Sequence, residues 1–262
     1  MEFETMKLEK AGYIGIITIN RPPANSWSFA AMCELEKVLD GIEADRDVRV
    51  IILTGAGEKC FSAGMDITDA GNPEIGPKGQ ALWRRVDRFP KPIIAAINGH
   101  AFGGGLELAM SCHFRIMIDS PQAKIGLTEL NLGIIPGWGG TQRLMRIVGK
   151  PQALEMILFS QRIDAAEAFR IGLVNRIAPP EAFMEEVMVF AKKIAERPPI
   201  AVRCVLEAMT AGIYEGMDAG LDKEREGSRT VAASKDAIEG FTAFLEKRPP
   251  VFKGNSASVK KI

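Results

Sequence analysis

The chain has 262 residues, 47% of them hydrophobic and 25% charged, which is the composition of a folded globular protein of one large domain or a domain with an appendage. Its 33 basic side chains are balanced by 33 acidic ones, so no overall field draws it to nucleic acid or to an anionic bilayer. Met1 to Lys10 mixes acids with bases and lacks the basic start and apolar stretch of a secretory signal, so a cytoplasmic location is expected. The weakly polar run from Lys91 to Glu107 is too short and glycine-rich for a membrane span, at about 20 residues needed. Cys33, Cys60, Cys112 and Cys204 are scattered and the only histidines are His100 and His113, so reduced thiols are expected and no metal centre.

In chain order, Tyr13–Asn20 is rich in isoleucine and ends at Arg21-Pro22-Pro23, which predicts a strand closed by a proline turn. Phe29, Met32, Leu35, Leu39 and Ile42 recur at helical spacing behind Ser28, a natural N-cap. Val48–Thr54 and Pro92–Ile97 are short β-branched runs that end at Gly55 and at Asn98-Gly99, and both read as buried strands. Each leads through a glycine loop to an expected helix start, near Gly64 and at Gly103-Gly104-Gly105, which makes the first half an α/β pattern. After Val174–Ile177 the stretches Pro180–Glu196, Ala201–Thr210 and Ser234–Lys247 have helical spacing, and Arg197-Pro198-Pro199 separates two of them. We therefore expect an α/β core over 1–197 and a helical region over 198–262, with a mobile tail after Pro249-Pro250 unless a partner subunit pins it.

Common catalytic signatures fail locally. Around Ser62 the chain reads Cys60-Phe61-Ser62-Ala63-Gly64, with cysteine where a nucleophile elbow needs glycine; Gly149-Lys150 is followed by Pro151, not by Ser or Thr as in a phosphate loop. Gly55-Ala56-Gly57 lacks the third glycine of a dinucleotide fingerprint. Two junctions remain, Ser62–Asp66 and Gly103–Glu107, each able to aim backbone N–H groups at one oxygen; the same glycines also serve tight turns, and the residues alone leave both uses open. Glu107 and Glu129 sit in apolar neighbourhoods that raise a carboxyl pKa, and in one pocket they suit proton transfer. A helix-end charge for Glu107 and a solvated charge for Glu129 stand as the alternatives.

The blocks Asn20-Arg21-Pro22, Phe61–Ile67, Lys91–Gly99, Gly103–Ala109, Leu132–Leu144 and Gly172-Leu173-Val174 together resemble the crotonase, or enoyl-CoA hydratase/isomerase, superfamily, over nearly the whole chain. The resemblance implies a crotonase-like spiral of repeated strand-strand-helix units with a C-terminal helical oligomerisation region that builds a trimer or a hexamer. It implies that the amides of Met65 and Gly104 form an oxyanion hole for an acyl-CoA thioester carbonyl. It also implies that Ala63, Asp66 and Ile67 lie along the coenzyme A region and that Phe244 and Lys247 reach a neighbouring subunit's coenzyme A. Glutamate at both acid positions, Glu107 and Glu129, implies an enoyl-CoA hydratase: syn addition of water across a 2,3 double bond, with no metal or redox cofactor. Three further readings stay open: a double-bond isomerase, a hydratase of a cyclic diene-acyl-CoA, and a non-catalytic acyl-CoA-binding subunit. The chain departs from the family pattern at Thr128, where proline is common, at His113, where aspartate is common, and in a slightly longer Glu107 to Glu129 segment. Met65 and Trp138 are bulkier than many relatives' residues, which suggests a pocket shaped for a particular acyl group or, equally, packing.

Overall fold

In a computed structural model, which describes residues 3–254, the strands form two sheets. The larger sheet holds six strands in the order β1 (Met6–Ala11), β2 (Ile14–Ile19), β3 (Val50–Gly55), β5 (Ile93–Ile97), β7 (Phe114–Ile118) and β9 (Arg176–Ala178). Only the β1–β2 pair is antiparallel. The smaller sheet is wholly parallel, with β4 (Cys60–Ser62), β6 (His100–Phe102) and β8 (Ile125–Gly126) in that order. Each turn of the chain adds one strand to the large sheet, one to the small sheet, and then a helix: β3, β4 and α2 (Ile75–Asp87); β5, β6 and α3 (Gly104–Ser111); β7, β8 and, after a short 3-10 turn, α4 (Gly140–Val148). This is the expected spiral of strand-strand-helix units.

The large sheet is covered on both faces, which is why its strands read as unbroken apolar runs. Alternation then sorts neighbours: Ile51 and Leu53 join the core under α1 (Phe29–Ala44), whereas Val50 and Ile52 pack with Phe183, Val187 and Ala191 of α7 (Phe183–Ala195). Ser28 caps α1 as expected, its hydroxyl accepting from the Ala31 N–H at 3.2 Å.

One expectation needs correction, the helix near Gly64, and two parts of the chain carried no expectation. β1 precedes the strand read as the first; its sequence, Met-Lys-Leu-Glu-Lys-Ala, is exposed beyond Met6 and carries no apolar signal. The helix expected near Gly64 starts only at Ile75, because Asp66 caps a single 3-10 turn, Ile67–Asp69, and Gly71-Asn72-Pro73 then stops it. The segment containing α4, α5 (Lys150–Leu158) and α6 (Ala165–Arg170) consists of helices too short to show a clear period.

Beyond the proline break, Pro198 precedes α8 (Pro199–Glu215), which pairs with α9 (Met217–Ala232), and Ser234 caps α10 (Lys235–Glu246). These helices expose Met209, Ile213, Met217, Leu221, Ile238, Phe241, Phe244 and Leu245. The start of the tail is pinned within the chain, since the Asp236 carboxylate accepts from the Lys253 and Gly254 amides at 2.8 and 2.9 Å. The rest of the expected mobile tail, from Asn255 on, lies outside the described residues. Among the described residues no helix is long and apolar enough to cross a membrane.

Candidate active site

The three strands of the small sheet end at one place and deliver the site. Met65 follows the end of β4, Gly104 follows the end of β6, and Glu129 follows the end of β8. Glu107 lies one turn inside α3, on the helix that Gly104 begins.

Met65 and Gly104 are held side by side. A Cβ built on Gly64 falls 2.8 Å from the Gly104 nitrogen, so only glycine, at φ +92°, permits the approach. Neither the Met65 nor the Gly104 amide donates to any acceptor among the described residues. The Gly104 amide belongs to the first turn of α3, where N–H groups lack internal partners and the helix dipole is positive. The Met65 amide has a different origin from the one expected. It leaves an extended segment that bridges Trp27, with the Trp27 N–H donating to the Gly64 carbonyl at 2.8 Å and the Trp27 carbonyl accepting from Asp66 at 3.0 Å.

Glu107 is buried, and its Oε1 accepts from the backbone amides of Trp138 at 2.8 Å and Gly140 at 2.7 Å. Gly140 opens α4, so a helix N-terminus grips this carboxylate. Both bonds fall on Oε1, and Oε2 takes none among the described residues. Burial pushes the Glu107 carboxyl up to about 7; the amide bonds pull it back, and the neighbouring Glu129 charge adds to the rise. Glu129 is also buried, its carboxyl raised by desolvation, and its Oε2 is enclosed without a hydrogen-bond partner. The other oxygen, Oε1, stands 3.1 Å from where a Cβ on Gly103 would be, so Glu129 lies against the glycine triplet. The two carboxyls are thus both desolvated and near enough for the Glu129 charge to act on Glu107, and Glu129 lies against the triplet that carries the Gly104 amide. Ionisation of Glu129 hinders that of Glu107, which is one reason the Glu107 carboxyl holds its proton to higher pH than an exposed glutamate.

The other residues singled out in the sequence are placed less centrally. Ala63 and Ile67 are exposed on the loop after β4, whereas Asp66 is buried, ion-paired with Arg21 and bonded to the Thr68 amide and hydroxyl. Trp138, expected to shape the pocket, is 4% exposed and packed edge-on against Trp83; its recorded bond to the site is through its backbone N–H. Phe244 and Lys247 lie exposed on and just after α10, joined to the four central residues by no hydrogen bond or ion pair among the described residues. His100 and His113 each accept a backbone N–H through Nδ1, and burial pushes His113 down to about 4, which fits structural roles. Sequence reading missed the amides of Trp138 and Gly140 as the Glu107 clamp. The Gly139-Gly140 pair at a helix start was the available signal. It also missed Trp27 and Trp83, which the pattern marks only as apolar.

The family model described as enoyl-CoA hydratase/isomerase matches residues 9–255. A short-chain-enoyl-CoA hydratase of Clostridium acetobutylicum is 42% identical over 255 residues, 95% of this chain and 97% of that protein. A crotonyl-CoA hydratase of Syntrophomonas wolfei is 40% identical over 259 residues, 96% of this chain and 99% of that one. The crystal structure of an enoyl-CoA hydratase from Bacillus anthracis superimposes with a TM-score of 0.91 at 42% identity, covering 96% of this chain and all of that one.

Proposed function

This chain belongs to the enoyl-CoA hydratase/isomerase family, and from that membership and the geometry of its site we propose that it adds water reversibly and syn across the 2,3 double bond of an enoyl-CoA thioester, giving a 3-hydroxyacyl-CoA. The observation that carries this reading is the pair of buried carboxyls, Glu107 and Glu129, both with raised pKa, on the connections after the small-sheet strands that also carry the unpaired Met65 and Gly104 amides; we take the pair to share one proton in the reaction. The thioester oxygen accepts from the Met65 and Gly104 N–H groups. Water attacks Cβ and gives its proton to the ionised carboxylate, the protonated carboxyl delivers its proton to Cα, and negative charge passes transiently onto the thioester oxygen. One water is consumed and the pair ends with one proton, as it began.

Fixed amides stabilise that transient charge without reorganising, and loss of one such donor commonly costs about 10²–10³ in rate. Positioning contributes alongside acidity, because Cα and Cβ must face the carboxyls when the carbonyl is seated. No metal or redox cofactor enters the proposed reaction, and coenzyme A is part of the substrate. Ala63, Asp66 and Ile67 are proposed to run along the coenzyme A chain, and Trp138 to back the acyl end. A trimer or hexamer is proposed to bring Phe244 and Lys247 of one subunit to another's coenzyme A, an assignment supported by the exposed apolar side chains of α8–α10. A cytoplasmic location is proposed with it.

The test is crotonyl-CoA: loss of the conjugated thioester absorbance with 3-hydroxybutyryl-CoA as product supports hydration. Conversion of a 3-enoyl-CoA to the conjugated thioester with no loss from crotonyl-CoA assigns an isomerase instead. Glu129→Gln is expected to lower kcat by at least about 10²-fold while binding of the thioester changes little; equal loss of both counts against the mechanism.

A further inference from the structure

The chain has 3 tryptophans, and all of them meet in one buried stack behind the site. Trp27 and Trp83 contact edge-on at 5.0 Å between ring centres, and Trp83 and Trp138 at 5.5 Å. Each is also attached to a different reacting part. Trp27 clamps both sides of Met65 through its backbone N–H and carbonyl. The Trp83 indole N–H donates to the Gly104 carbonyl at 3.0 Å. Trp138 holds Glu107 through its backbone N–H at 2.8 Å.

The fit is carved from both sides. A Cβ on Gly104 lands 2.2 Å from the Trp138 ring, and one on Gly79 of α2 lands 2.4 Å from it, so the indole is wedged between two residues that must lack side chains. Gly104 is thereby restrained by a ring against its Cα and by a hydrogen bond on its carbonyl, which together limit the direction of its N–H. Ordinary apolar packing explains burial of three large rings, but not a hydrogen bond to the oxyanion residue or a backbone bond to the acid from the same stack.

We propose that the Trp27–Trp83–Trp138 stack is the positioning device that sets the two oxyanion amides and Glu107 relative to one another, with Trp83 as the positioning residue for Gly104. Trp83 touches no reacting atom; it acts through the orientation of the α3 N-terminus. A displacement of about 1 Å in such a donor can cost on the order of 10²-fold in rate.

The inference rests on the hydratase reading, so its test carries two readouts on the full-length protein. Wild type, Trp83→Phe and Gly79→Ala are compared in kcat and KM for crotonyl-CoA, and in the ultraviolet absorbance of bound acetoacetyl-CoA, whose enolate forms at lower pH than in free solution where the thioester oxygen is stabilised. Trp83→Phe deletes the indole N–H and leaves a smaller ring in the stack; Gly79→Ala keeps all three indoles and pushes Trp138 from its wedge. Both are expected to lower kcat about 10- to 100-fold with KM within about twofold, and to move enolate formation to higher pH. Wild-type kcat and enolate in both variants, whatever the change in Tm, overturns the inference while leaving the hydratase reading intact. If Trp83→Phe does not fold, Gly79→Ala decides by the same criteria. A wild-type protein that leaves crotonyl-CoA unchanged but forms the enolate sinks the hydratase reading alone; one that does neither sinks both.

Discussion

Replacing Glu107 by glutamine separates what the acid does for catalysis from what it costs the fold. The substitution keeps an Oε1 that accepts from Trp138 and Gly140 and removes the charge. Burial and Glu129 push the Glu107 carboxyl from 4.5 up to about 7 in the folded chain. Between those two values the folded protein holds a proton that the unfolded chain has released. The unfolded state therefore binds fewer protons, and stability falls as pH rises through that window, then levels off above it. The gap corresponds to about 3 kcal/mol of stability forgone above pH 7. Urea denaturation of wild type and Glu107→Gln, at one protein concentration because assembly shifts the midpoint, is the assay. The two are expected to agree within about 1 kcal/mol at pH 5, and the variant to be more stable by about 3 kcal/mol at pH 8. Parallel stability curves from pH 5 to pH 8 would refute a desolvated Glu107 and, with it, the idea that the pair stores a proton.

The same titration shapes activity. For hydration, kcat/KM is expected to fall above about pH 7 as Glu107 loses the shared proton, and to fall on the acid side as Glu129 gains one; a flat profile across that range in initial-rate measurements contradicts the shared proton. Gly105→Ala is expected to destabilise the fold by about 2–3 kcal/mol in denaturant melts, because its Cβ would lie 2.3 Å from the Ser62 carbonyl oxygen at the end of β4. Lys247→Ala is expected to raise KM for crotonyl-CoA several-fold and to leave KM for crotonyl-N-acetylcysteamine unchanged, since the shorter thioester lacks the phosphates that a lysine attracts; equal changes with both rule out a phosphate contact.

Strong local chemistry is legible in this sequence, and geometry between segments is not. The Ser28 cap, the apolar strands β2, β3 and β5, and the proline break before α8 carry their own physics in a few residues, and all stand where expected. β1 escaped because an edge strand with one partner and an exposed face has a polar composition. The helix misplaced at Gly64 shows the limit of reading a glycine loop as a helix start: Met65 offers an amide without a helix behind it. Glu107 and Glu129 were picked out by apolar neighbours and by resemblance. Their closeness depends on β6 and β8 ending side by side, a fact of sheet order that no local pattern records. The indole stack was invisible for the same reason, since Trp27, Trp83 and Trp138 belong to three different turns of the spiral.

That succession of turns has a consequence for change over time. The connections after β4 and β6 supply the two amides, and those after β6 and β8 supply the two carboxyls, so the residue at position 129 can change while both amides that hold the carbonyl keep their own rungs. A scaffold divided in this way can acquire new chemistry one connection at a time while its grip on the thioester is inherited unchanged.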